Sequence, residues 1–216
     1  PVVTAPDAIT VAANNAAGTA ASNAAISGDW KMAPIAGSFS VGPNSSDLSW
    51  YSNSQEDVEG RACFFDDIFR FGADGSFANI MGSETWLEGW QGVDGDQCGA
   101  PVAPHDGSAT ANYTYDSANS TITLNGSGAH LGLPKVQNNG ELSGGAEAVT
   151  SITYNVTELA TDGKSMTVQI QYSGDQTWQY KLVKDQSDAA NSVSITKVIE
   201  TDAGSPYIKT VELYVS

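Results

Sequence analysis

Ile152 to Val183 reads ITYNVTELATDGKSMTVQIQYSGDQTWQYKLV, and these residues carry the decision about fold. Three runs, 152–159, 165–172 and 177–183, place β-branched and aromatic residues in near alternation, and TDGK and SGDQ separate them. Alternation sends successive side chains to opposite faces of a strand, while Gly and Asp supply the turns. Upstream, Asn112–Asp116 and Thr121–Asn125 repeat the pattern around SANS, and NGSG follows them. Short strands at this spacing with no helical period between them predict an all-β, antiparallel fold. The expected architecture is a jelly-roll-like β-sandwich, with a closed barrel as the alternative.

Working outward, Phe64 to Phe71 is a dense apolar segment closed by Ala73-Asp74-Gly75, a D-G turn that leads into SFANIM and predicts a hairpin. The compact domain is expected to span 28–186, opening at GDWKMAPIAGSFSVGP. Before it, residues 1–27 read as an apolar extended stretch, PVVTAPDAITVAA, and then an Ala/Asn/Ser/Gly tract that resembles a linker. Helix is the competing reading of that tract, since alanine favours it, but Asn14, Asn15, Gly18 and Thr19 interrupt any apolar stripe. Such a strand is suited to pairing with a β-edge, its own or that of a neighbouring subunit or domain. Residues 187–216 read as a second polar linker and two strand-like runs around D-A-G-S-P.

Nine Lys+Arg against 25 Asp+Glu give a net charge of −16. That charge repels nucleic acid and anionic lipid, so neither is expected as a partner. No signal peptide and no apolar run long enough to span a bilayer is present, so membrane insertion is not expected and the chain reads as a mature or excised piece. Cys63 and Cys98 are the two cysteines. A bridge between them closes a loop of about 35 residues, worth about 4 kcal/mol in the chain-entropy model. Neither has a partner at C-x-x-C spacing, and His105 and His130 form no ligand pattern with them. A disulfide is therefore expected, and with it an extracellular or cell-surface location.

Both cysteines fall in the chemically densest segment, Arg61 to Ser108. It holds Trp86 and Trp90 in E-T-W-L-E-G-W, together with Glu84, Glu88, His105 and Asp106. An indole face packs against the C–H face of a pyranose and its N–H remains a donor, so the two rings, four residues apart, form a candidate platform for sugar units. On a strand they would share one face about 13 Å apart. Trp50-Tyr51, after the VGPNSSDLS loop, is the next candidate, while Trp30 and Trp178, embedded in strand-like runs, are expected in the core. Glu84 and Glu88 flank Trp86 and invite a glycosidase reading, which requires two carboxyls about 5–5.5 Å apart for a retaining enzyme. The family 16 glycosidase motif has a central aspartate that this segment lacks, so catalytic residues are not expected. Asp66-Asp67 and Asp94 to Asp96 offer oxygen ligands for a structural Ca2+, without the full spacing of a calcium loop. No other cofactor is expected.

GDWKMAP, VGPNSSDLSWYS, RACFFDD, ETWLEGWQG, CGAPVAPHDGS, GAHLGLPK, NNGEL and W-Q-Y-K-L-V, taken together over 28–183, resemble a module of large secreted or surface polysaccharide-utilisation proteins of marine bacteria. There it stands beside family 16 glycoside hydrolases and immunoglobulin-like repeats. The resemblance implies a non-catalytic carbohydrate-binding domain for extracellular polysaccharide, of the β-1,3-glucan or laminarin type. Its ligand-binding set would be Trp86, Trp90, Trp50, Tyr51, Glu84, Glu88, His105 and Asp106. The segment G-x-W…C…DD-x-F-x-F-x-x-D-G-S-F is also similar to bacterial lipocalin-like domains, which implies an up-and-down barrel. Residues 1–13 resemble the opening of an immunoglobulin-like repeat, and the last residues resemble the start of a lamin-tail-type domain. Two other classes stay open: a structural module of a surface filament or adhesin, and a glycoside hydrolase.

Overall fold

A computed structural model describes residues 18, 22–144 and 148–186, and the backbone of 193–194 and 214–215. The chain divides into two compact units, Pro1–Lys184 and Asp185–Ser216. The apolar stretch at 2–11, with the edge pairing expected of it, lies outside the described residues.

Among the described residues every strand pairing of the first unit is antiparallel. Its strands are β1 (Gly28–Met32), β2 (Phe39–Gly42), β3 (Tyr51–Ser52), β4 (Ile68–Phe71), β5 (Ser76–Ile80), β6 (Thr85–Leu87), β7 (Gln97–Gly99), β8 (Ala111–Asp116), β9 (Thr121–Asn125), β10 (Val136–Gln137), β11 (Gly140–Glu141), β12 (Ser151–Leu159), β13 (Ser165–Ser173) and β14 (Gln176–Lys184). In the main sheet the order β1-β4-β5-β8-β9-β12-β13-β14 is a meander, and β14 pairs back onto β1. Trp30↔Lys184 and Met32↔Leu182 close it into an eight-stranded barrel. The meander fits the barrel alternative and does not confirm the jelly-roll sandwich. β1 and β2 share one edge of β14: β1 takes its end and β2 its beginning, at Trp178↔Val41 and Tyr180↔Phe39.

An eight-stranded barrel has an interior just wide enough for side chains to fill. Alternation supplies them: Ile152, Tyr154 and Val156 of β12 are buried, as are Val168 and Ile170 of β13 and Tyr180 and Leu182 of β14. Phe71 packs edge-on against Phe77 at 5.1 Å and Tyr113 at 4.8 Å. The predicted D-G hairpin forms, with Phe71↔Phe77 in register, and Asp74 Oδ1 accepts hydrogen bonds from the Ser76 amide and hydroxyl. Gly75 takes φ 89°, a left-handed conformation that glycine adopts without a Cβ clash.

Two local expectations are corrected. Residues 62–65 are helical rather than extended, because Phe64 and Phe65 are both buried and consecutive residues of a half-buried strand cannot share one face. The expected linker ends in a helical turn at 22–26 that seals one end of the barrel. There Ile26 is fully buried and its carbonyl accepts the Trp30 indole N–H at 2.8 Å. Asn23 ties β8 to that turn, receiving the Tyr115 amide at its side-chain oxygen and the Tyr113 hydroxyl at its carbonyl. One buried isoleucine with paired polar neighbours suffices as a plug, although small residues dominate the tract.

The meander gives the barrel two unlike ends. At the end sealed by 22–26, the connections are the short turns at 72–75, 117–120 and 160–164. The three long connections, 33–67, 81–110 and 126–150, all emerge at the opposite end. In the second unit, Val193–Ser194 pairs with Tyr214–Val215, two short strands where the sequence has its strand-like runs. Among the described residues no helix is long and apolar enough to cross a membrane.

Candidate functional site at the barrel mouth

The three long connections converge on a cleft of about 230 Å³ at the open end. Phe39 of β2, Tyr51 of β3 and Trp178 of β14 supply its rings, and Leu133 its aliphatic wall. Phe39 stacks on Trp178 with centroids 6.5 Å apart and planes 23° apart, and Trp178 stacks on Tyr180 at 6.2 Å and 11°. Both Phe39 and Trp178 are well buried, so they line the cleft by their edges and remain part of the core. Trp178 is thus in the core, as its strand pattern predicts, and serves the cleft as well. Its indole N–H donates to Glu141 Oε1 at 2.6 Å.

Charged groups complete the lining. Lys135 Nζ lies 2.7 Å from Glu88 Oε1 and 5.6 Å from the Trp178 ring centroid. Glu88 is 8% exposed, which is tolerable for a carboxylate because Lys135 neutralises it and the Trp90 indole donates to its other oxygen at 3.0 Å. The 3-10 turn Gly89–Gln91 holds that glutamate in place, since the Glu88 amide donates to Gln91 Oε1. Asp96 also lines the cleft, accepting the Gly89 amide at 3.0 Å.

Arg61 enters from a helical junction. Ser54 and Asp57 form a capping box on α1 (Gln55–Gly60), and Arg61 stands between α1 and α2 (Ala62–Phe65). Its guanidinium lies over two rings, 4.6 Å from the Trp86 centroid and 5.6 Å from that of Phe39. Its nearest carboxylate oxygen among the described residues, on Asp57, is 3.9 Å away, and Asp57 already receives the Tyr51 hydroxyl and the Ser54 amide. Hydrogen bonds to Ser54 hold the Asp57 carboxyl below its usual range.

The sequence-derived candidates divide between this cleft and its surroundings. Tyr51 and Glu88 line it. Trp86, on β6 opposite Cys98, is half-buried beneath Arg61, and its indole N–H is buried without an acceptor among the described residues. Trp90 sits in the 3-10 turn after β6, so the pair does not lie on one strand face; Trp90 meets His105 edge-on at 5.5 Å. His105 is buried and in turn contacts His130 at 5.8 Å. Burial lowers the pKa of both imidazoles, that of His130 to about 4. Asp106 caps its own turn through Ser108, whose hydrogen bonds lower its pKa. Trp50 is 53% exposed on the connection between β2 and β3 and is not part of the cleft lining.

Cys63 and Cys98 form the expected disulfide, joining α2 to β7. Beside it is a larger hollow of about 450 Å³, lined by Asp66, Glu84 and Met81 among others and by no aromatic ring. Size alone would select it, but the mouth cleft is where ring surface and hydrogen-bonding charge coincide. Glu84 and Glu88 line different hollows. Of the calcium candidates, Asp66 and Asp94 are exposed and Asp96 is bonded to Gly89. Asp67 is buried, accepts the Thr85 hydroxyl at 2.6 Å and is pushed up to about 8 by desolvation. Among the described residues no three His, Cys, Asp or Glu side chains are gathered as a metal site.

Sequence reasoning missed Phe39, Arg61 and Lys135 as lining residues. One signal was available: Arg61 is one of only two arginines in a strongly acidic chain. No family model matches the chain, and no curated protein matches it either. Fold and site together define a small antiparallel barrel with a polar, aromatic-lined mouth.

Proposed function

We propose that the chain is a non-catalytic binding module that takes an extracellular saccharide at the barrel mouth. The observation that carries this reading is the coincidence of ring surface from Phe39, Tyr51 and Trp178 with oriented charged groups in one cleft. Rings supply apolar contact for sugar C–H faces, and carboxylate and ammonium groups match hydroxyls. At about 230 Å³ the cleft is smaller than the roughly 300–1,000 Å³ of sites for drug-sized ligands, which suits one end of a chain rather than its length. The likeness of the sequence motifs to polysaccharide-utilisation modules makes β-1,3-glucan the first ligand to test. A non-catalytic role is supported by Glu88, which is committed to Lys135 and Trp90, and the disulfide supports an extracellular setting.

Calorimetric titration with laminari-oligosaccharides tests the reading. By analogy with base stacking, removing one ring that stacks on a ligand costs about 1–3 kcal/mol, so Tyr51→Ala is expected to weaken binding roughly 5- to 150-fold. Binding that survives Tyr51→Ala but is abolished by Trp50→Ala moves the site to the exposed Trp50 face and overturns the cleft.

A further inference from the structure

We infer that the mouth cleft contains an oxyanion subsite, so that its preferred saccharide carries a carboxylate or a sulfate ester at the bound end. This rests on the saccharide reading of the cleft and names the class of sugar. Arg61 carries the argument. A guanidinium has five N–H donors in a planar fork, and a purely structural arginine spends them on carbonyls and carboxylates. The Arg61 guanidinium makes no hydrogen bond among the described residues; its one ion-pair contact there is the 3.9 Å approach to Asp57, with the side chain 21% exposed.

What the protein does supply is aromatic surface for the guanidinium. The rings of Trp86 and Phe39 hold it at 4.6 and 5.6 Å, and the junction of α1 and α2 fixes its backbone. A cation held over two rings is pre-organised, with its N–H donors left for a planar or tetrahedral oxyanion, the geometry at which arginine excels.

The other charges of the cleft do not compete for that fork. Lys135 and Glu88 neutralise each other at 2.7 Å, and Asp96 accepts from the Gly89 amide. Among the described residues Arg61 is therefore the cleft's cation without a hydrogen-bonded carboxylate, in a chain whose net charge of −16 gives cations little general presence. A neutral glucan would leave these donors to water or hydroxyls, whereas an oxyanion would engage two of them at once.

The experiment titrates three probes into the full chain by calorimetry: trigalacturonate, a monosulfated disaccharide and neutral laminaritriose. Wild type is expected to bind at least one charged probe about tenfold or more tighter than laminaritriose, and whichever charged probe is tighter identifies the source of the oxyanion. In Arg61→Met that preference should fall about 10- to 100-fold, because hydrogen bonds to charged groups are the strong ones. Arg61→Lys should keep part of it, as a point charge without the fork. Equal affinity for all three probes in wild type, or a preference that Arg61→Met leaves unchanged, overturns the subsite while the saccharide reading stands. Failure of all three probes to bind overturns both. Should Arg61→Met not fold, as seen in a thermal melt, the wild-type preference and Arg61→Lys decide.

Discussion

The two ends of the barrel are built from the same strands and differ in how they finish. At the sealed end, short turns and the 22–26 plug leave Trp30 with no exposure, and its indole N–H is spent on a backbone carbonyl. At the mouth, long connections bring in Arg61, Glu88 and Lys135 around the half-buried Tyr51 and the edges of Phe39 and Trp178. The sealed end meets its buried Trp30 indole and Tyr113 hydroxyl with backbone carbonyls. The mouth meets its polar groups with charged side chains from separate connections, and Arg61 is left with donors to spare. Surface of that kind is costly to keep unless something binds it.

That contrast can be broken most sharply at the sealed end. Trp30→Ala is expected to cost about 3–5 kcal/mol of fold stability, because it opens a cavity where no group can relax inward. Urea melts check it, and a loss below about 1 kcal/mol would mean that the plug and its tryptophan are dispensable.

The disulfide is the next largest effect. Replacing both Cys63 and Cys98 by serine should lower stability by about 2–4 kcal/mol. Hydrogen exchange should quicken mainly in 55–67 and 81–110, the connections that the bridge ties. Uniform quickening through β12–β14 would show that the mouth is not a separable region.

A third test uses pH. Asp67 has its pKa raised by burial from 3.8 to about 8, so between those values the folded state holds a proton that the unfolded chain has lost. Stability from this group therefore falls as pH rises, by about 1.4 kcal/mol per unit. His130 acts in the opposite sense: burial lowers it from 6.5 to about 4, so stability rises with pH across that window. The two largely cancel between pH 4 and 6.5, and Asp67 alone acts from 6.5 to 8. Wild type should lose about 2 kcal/mol over that last interval. Asp67→Asn should abolish the loss and expose the rising limb below pH 6.5, and an unchanged profile would contradict the burial of this carboxyl.

The smallest effect is expected at Trp50. Its exposure predicts that Trp50→Ala changes stability by no more than about 0.5 kcal/mol. A larger loss would mean that the ring is packed against something in solution.

How much of this was legible can be judged residue by residue. Alternation in 112–125 and 152–183 located five barrel strands to within one residue at each end, because burial on one face of a strand writes itself into every second position. The D-G turn located the β4–β5 hairpin, and two isolated cysteines in one segment were enough to expect their bridge. Phe64-Phe65 misled, since adjacent large apolar residues fit a buried strand as well as a helical turn.

Sequence alone thus determined the all-β class, the spans of five barrel strands and the covalent bridge. Only tertiary structure decided between sandwich and barrel, since the β1–β14 pairing joins residues about 150 positions apart and no local pattern encodes a closure of that length. It also decided the composition of the mouth. Phe39 and Arg61 come from one connection, Lys135 from another and Trp178 from β14, and each taken singly is an ordinary core ring or surface cation. The site exists because the meander turns its three long connections to the same end.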